Sequence, residues 1–121
     1  MKRRLAAILP AVAMAALAVP MATSTPAVAA AACGKTAPDK DGGAWNANKA
    51  NGANMRSGSS TGCGINGIAY SSSKLDYHCY TRDAAGATWT YVRNDSASPD
   101  TFGWIRDDLL SDGGSLEWCG F

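Results

Sequence analysis

The chain has 121 residues, 11 basic and 10 acidic side chains and 46% hydrophobic residues, which allows a single small domain and excludes a low-complexity or strongly charged polymer. A net charge of +1 supplies no electrostatic footprint for nucleic acid, and Lys35, Lys40, Lys49, Arg56, Lys74, Arg82, Arg93 and Arg106 are scattered rather than grouped.

Met1-Lys2-Arg3-Arg4 opens the chain with positive charge, and an apolar run follows over residues 5–20. That run is too short to span a bilayer, is broken by Pro10 and Pro20, and leads to Ala27-Val28-Ala29, a small-x-small cleavage pattern. The reading is a signal peptide over residues 1–29, with cleavage after Ala29 or within the next three alanines. Arg3-Arg4 lacks the flanking residues of a twin-arginine signal, and Ala30 stands where a lipoprotein signal before Cys33 needs a bulky apolar residue. Export leaves 92 of the 121 residues. Because Lys2, Arg3 and Arg4 depart and every acid stays, the net charge moves from +1 to −2. The expectation is a secreted monomer with no membrane attachment in its mature form.

A domain this small buries only about 60 to 65 per cent of its unfolded surface, so covalent staples are expected. Four cysteines in an exported chain form an even set, with three possible pairings. Residues 30–52 are rich in Gly, Asn, Asp and Lys with Trp45 as their one large anchor, and they read as a polar N-terminal arm before a domain over residues 53–121. Asp39-x-Asp41 resembles the start of a calcium loop, but its twelfth position is Ala50, which offers no carboxylate.

From Asn54 onward the chain reads as short strands. Residues 54–56 form the first, and a Gly/Ser/Thr loop follows. Residues 65–70 and 74–82 alternate with a period of two on either side of Ser71-Ser72-Ser73 and read as a hairpin. With the turn centred near Ser72, Cys79 falls opposite Ile65 and close to Cys63, so the expected disulfides are Cys63–Cys79 and, by remainder, Cys33–Cys119. Residues 88–93 and 102–106 are further strands, 107–110 a short helical turn and 116–119 a closing strand. The loop 94–100 contains Pro99. The fold class is therefore all-β: a small barrel or sandwich of five to six short antiparallel strands.

Chemistry is sparsely offered. His78 is the one histidine, and its neighbour Cys79 is predicted to point to the opposite face and to be oxidised, which argues against a nucleophilic pair. No Cys-x-x-Cys pair is present to hold zinc, so no metal or other cofactor is expected. Asp107 with Asp108, or Asp76 with Asp95, are the conceivable carboxylate pairs for sugar hydrolysis, though adjacent aspartates after a strand more simply cap a helical turn. Ser57, Ser59, Ser60 and Thr61 lack a Gly-x-Ser-x-Gly context. The positive signal is aromatic: Trp89, Tyr91, Phe102 and Trp104 alternate on two strands, with Val92 and Ile105 on the other face and about half of those rings expected to be buried.

The run Gly52-Ala53-Asn54-Met55-Arg56-Ser57-Gly58-Ser59-Ser60, then Gly67-Ile68-Ala69-Tyr70, Trp89-Thr90-Tyr91-Val92 and Gly103-Trp104-Ile105, resembles the bacterial SH3 (SH3b) family over residues 53–110. It departs from that family at Ser59, where Pro is frequent. The four cysteines resemble those of a small secreted actinobacterial-type subgroup. The resemblance implies an SH3-like barrel and a non-enzymatic recognition module. The resemblance itself identifies no ligand; the expectation is a cell-wall peptide or peptidoglycan, or another extracellular peptide, in a cleft between loops 57–63 and 94–100. Trp104 would form the floor, with Tyr70, Tyr80 and Tyr91 as walls and Ser59 at the rim. A second expectation, of a different class, is a disulfide-stabilised effector or inhibitor of another extracellular protein. A minimal hydrolase using His78, Asp107 and Asp108 is the third.

Overall fold

Five strands carry the fold in the computed structural model, which describes residues 29–96 and 98–121. They are β1 (Ala53–Arg56), β2 (Ile65–Ala69), β3 (Leu75–Arg82), β4 (Thr88–Asn94) and β5 (Thr101–Arg106), followed by a 3-10 turn at Asp107–Leu109. Each strand end lies within one residue of the bound predicted from period-two alternation. The predicted closing strand over 116–119 reduces to a single parallel bridge between Tyr80 and Trp118. The signal-peptide reading falls outside the described residues except for Ala29.

The sheet is antiparallel, with strand order β2-β1-β5-β4-β3. This corrects the predicted hairpin. The turn after β2 does form, with the Ser73 N–H donating to the Tyr70 carbonyl at 3.0 Å, but no ladder joins β2 to β3. Instead β2 folds back on β1 in the register Ala53↔Ala69 and Met55↔Gly67, while β3 pairs with β4. The serine turn thus carries the chain from one sheet edge to the other. β1 and β5 meet at Arg56↔Trp104, and Gly103 permits it: a Cβ there would lie 2.9 Å from the Met55 Cβ. The glycine lets the two strands come this close.

Each face of the sheet carries its own buried cluster. Met55, Leu75, Val92 and Ile105, with Ala53 and Ala69, fill one face, and Ala69 of β2 and Leu75 of β3 belong to the same cluster although their strands are the two sheet edges. The other face is aromatic, with Trp89, Tyr91, Trp104 and Cys79. The predicted division of the aromatics from Val92 and Ile105 holds. Three of the four rings are buried, however, leaving Phe102 the exposed one at 38%.

What covers the aromatic face is the remainder of the chain. Ala31 and Ala37 of the arm, together with Cys119 and Phe121, pack on the tryptophans. Ala31 is wholly buried, with its N–H donating to Ser59 Oγ at 2.9 Å and its carbonyl accepting from the Ser59 N–H at 2.9 Å. The arm passes so close over Gly58 that a Cβ there would stand 2.6 Å from the Ala31 carbonyl oxygen. Further along, the Lys40 N–H donates to the His78 carbonyl at 2.9 Å and Asn46 bridges to Leu75, so the arm also covers the outer edge of β3. The C-terminal segment continues that edge through Tyr80 N–H to Glu117 O at 2.7 Å. A strand edge shielded in this way is closed to pairing with other chains.

The disulfides are Cys33–Cys63 and Cys79–Cys119, with sequence separations of 30 and 40, and no described cysteine is free. Both differ from the expected Cys63–Cys79 and Cys33–Cys119. The physical causes are the missing β2–β3 ladder, which leaves Cys63 and Cys79 on separate pairs of strands, and a bulge. Between Tyr77 and Cys79 the β3–β4 register shifts, His78 becomes an extra residue, and the alternation restarts with Cys79 on the aromatic face opposite Tyr91 while Tyr77 remains on the Val92 face. Cys79 therefore meets the C-terminal segment, and Cys63, on the β1–β2 loop, meets the arm. In the chain-entropy account each closure contributes about 4 kcal/mol. Two disulfides with no free thiol mark an oxidising environment. No helix among the described residues is long and apolar enough to cross a membrane.

Candidate functional site

The expected cleft is not where the sequence placed it. Trp104 is fully buried, its indole N–H donating to the Lys35 carbonyl at 2.8 Å and its ring against Tyr91 and Phe121. Tyr91 is 6% exposed, and Ser59 is 1% exposed, occupied in holding Ala31. Tyr80 stacks edge-on to Trp118, and Tyr70, 53% exposed, stands just past the end of β2. The five do not converge on one surface. The loop over residues 57–63 borders Asp83 and Ala85 of the β3–β4 turn in a recess that includes Trp89 and Arg106, not the loop over 94–100.

The carboxylate pairs disperse as well. Asp107 is buried and accepts from the Thr90 hydroxyl at 2.5 Å, whereas Asp108 binds Arg106 at 2.7 Å. Burial pushes the Asp107 carboxyl above its ordinary value, opposed by its threonine hydrogen bonds. Asp95 is exposed and accepts the Lys74 N–H, far in role from the buried Asp76. Cys79 is bonded to Cys119, so it offers His78 no thiol.

A concave site does exist, on the β3 side. A cleft of about 350 Å³ opens between the arm near Asp41 and the C-terminal loop from Asp112 to Glu117, with Leu75 and Tyr77 as its floor. Its walls are held by a polar chain. The Thr90 hydroxyl donates to Asp107 and accepts from the Ser115 N–H at 3.0 Å, and the Ser115 hydroxyl donates to Asp41 Oδ2 at 2.6 Å. Across the cleft the Tyr77 hydroxyl donates to Asp112 Oδ1 at 2.7 Å, and Lys49 pairs with Asp112 Oδ2 at 3.1 Å. Burial alone would raise Asp112, but the Tyr77 hydroxyl, the Gly114 N–H and Lys49 together hold it below its ordinary value. Burial and then the Asp112 carboxylate push the Tyr77 hydroxyl up, so it remains a donor at any physiological pH. Three carboxylates, Asp41, Asp112 and Glu117, face a single ammonium, and Leu116 projects at the rim, 91% exposed. Net negative walls favour a cationic group.

A second constellation lies at the Asp76 end of the aromatic face. The bulge turns His78 against Tyr91 and Phe102, with ring centroids 5.4 and 6.0 Å away. Its Nε2 is 3.5 Å from Asp76 Oδ2 and 3.9 Å from Asp39 Oδ2. Burial first, and then the facing Asp39, push the Asp76 carboxyl upward. Alongside, the Arg93 guanidinium stacks between Trp45 and Phe102 while binding Asp100 at 2.8 Å. Asp39, Asp76 and His78 are the described residues grouped closely enough to hold a metal ion. Sequence reasoning weighed each of the three separately and had no signal joining them, since the arm reaches β3 only in three dimensions.

These features define a disulfide-stapled, five-stranded all-β domain with an acidic cleft. Comparison with protein-family models, with curated proteins and with solved structures returned no match.

Proposed function

We propose that this protein is an exported, SH3-like binding module that recognises an amine-bearing peptide, the chemistry of a cell-wall stem peptide, in the acidic cleft above Leu75 and Tyr77. The observation that carries the reading is that cleft: three carboxylates against one lysine, beside Leu75 and Tyr77, on walls already fixed by the Thr90–Ser115–Asp41 and Tyr77–Asp112–Lys49 contacts. Preformed walls lower the ordering cost of binding. The signal-peptide pattern and the two disulfides support action outside the cell. The strand motifs resembling the SH3b family fall on β1, β2, β4 and β5 and support a recognition role. The recognition surface differs from the one the resemblance implied, because Trp104 and Tyr91 are covered by the chain's own termini.

The test is an NMR titration of the 15N-labelled protein with soluble wall peptides carrying a free side-chain amine, and with the same peptides acetylated. Shifts are expected at Leu75, Tyr77, Gly114 and Glu117. They should vanish on acetylation and weaken with salt. Glu117→Gln, an exposed rim charge, should lower affinity by about two- to fivefold. Shifts that persist with acetylated peptide, or that cluster on another surface, overturn the assignment.

A further inference from the structure

We propose that Asp39, Asp76 and His78 form a binding site for one divalent transition-metal ion of the zinc type, fastening the N-terminal arm to β3. The site is separate from the acidic cleft and does not depend on the reading of that cleft.

Three observations carry it. The first is the orientation of the imidazole. His78 Nδ1 lies 3.3 Å from the Ala37 carbonyl, which can only accept, so Nδ1 carries the hydrogen and Nε2 is the ring nitrogen turned toward the two carboxylates. A ring nitrogen fixed by a backbone carbonyl, with the other nitrogen free to coordinate, is the arrangement that metal-ligating histidines use. The second is Asp76. Its side chain is 7% exposed, and its Oδ2 faces His78 Nε2 at 3.5 Å and the Asp39 carboxyl rather than a backbone N–H or a hydroxyl. Arg93 is its partner across the β3–β4 ladder but spends its guanidinium on Asp100, at 2.8 Å. A buried carboxylate that faces a second carboxylate across one imidazole favours a positive centre between them.

The third is spacing. Bonds of about 2.0 to 2.1 Å in a tetrahedral zinc site separate neighbouring ligand atoms by about 3.4 Å. Here Nε2 is 3.5 Å from Asp76 Oδ2 and 3.9 Å from Asp39 Oδ2, and all three ligand atoms fit within 4.8 Å of one another. Closing that shell requires only that Asp39 move inward, and its side chain is 47% exposed and on the arm, so it is placed to do so. One imidazole nitrogen with two carboxylate oxygens favours zinc, manganese or cobalt over the all-oxygen shells of calcium and magnesium. Three protein ligands leave a coordination position open to water on the solvent side of Asp39.

The experiment uses the whole exported chain, freed of metal with a chelator and then titrated with zinc chloride, with calcium and magnesium chlorides as controls. Expected are a saturable one-to-one isotherm by calorimetry, shifts of the His78 ring resonances in the same titration, a melting temperature that rises with zinc concentration, and tetrahedral d–d absorption with cobalt. Asp39→Asn alters an exposed side chain and leaves the fold intact, so it separates ligation from stability. That variant, and His78→Gln, should each weaken zinc binding by tenfold or more. The proposal is overturned by an absence of saturable zinc binding, by zinc binding that leaves the His78 resonances unmoved, by affinity unchanged in Asp39→Asn, or by calcium and magnesium binding as tightly as zinc.

Discussion

Trp104→Ala separates the observed architecture from an open aromatic cleft. The ring is fully buried against Tyr91 and Phe121, and its N–H donates to the Lys35 carbonyl at 2.8 Å. Truncating a buried aromatic costs about 3 to 5 kcal/mol, and the loss of a hydrogen bond to the arm adds about 1 kcal/mol. Set against a native stability of about 5 to 15 kcal/mol, a loss of about 4 to 6 kcal/mol removes a quarter or more of it even with both disulfides intact. Trp104→Phe refills most of the volume but removes the donor, so its loss should be about 1 to 2 kcal/mol. Urea unfolding under non-reducing conditions, followed by far-UV circular dichroism, measures both. Amide exchange in the arm should accelerate near Lys35 in both variants, because the indole ties the arm to β5. An alanine variant within about 1 kcal/mol of wild type would refute the packing described here, since a ring with little buried area is the one case that yields so small a change.

Two further outcomes test the covalent frame and the buried acid. Peptide mapping without reduction should yield Cys33 linked to Cys63 and Cys79 linked to Cys119, and a linked Cys63–Cys79 fragment would restore the hairpin that the register excludes. For Asp107, folding raises the carboxyl above its unfolded value, so the native state binds this proton more tightly and the contribution to stability grows as pH falls from neutral through the folded value toward the unfolded one. Wild type should therefore gain stability relative to Asp107→Asn as urea midpoints are measured at successively lower pH, and a constant or opposite difference would contradict the assignment.

Strand positions and the separation of an aromatic face from an aliphatic one were legible in the sequence because each follows from period-two alternation. β3 illustrates both the reach and the limit of that information. Its ends were predicted to within one residue, yet alternation alone cannot register an extra residue, and the bulge at His78 moved Cys79 to the other face and, with the missing β2–β3 ladder, changed both disulfides. Strand pairing was likewise undetermined. The turn at Ser71–Ser73 is compatible with a hairpin, but the backbone hydrogen bonds of β2 are satisfied by β1, and only the assembled sheet decides between partners. The sequence could mark Trp104 as an aromatic on an alternating strand. Whether it faced solvent depended on Ala31, Ala37, Cys119 and Phe121, residues distant in the chain that fold across it. The same long-range closure makes the acidic cleft and the Asp39–Asp76–His78 cluster. Their members share no motif, and they meet because the polar arm, tied by Cys33–Cys63 and by the Lys40 and Asn46 backbone contacts, lies along the edge of β3.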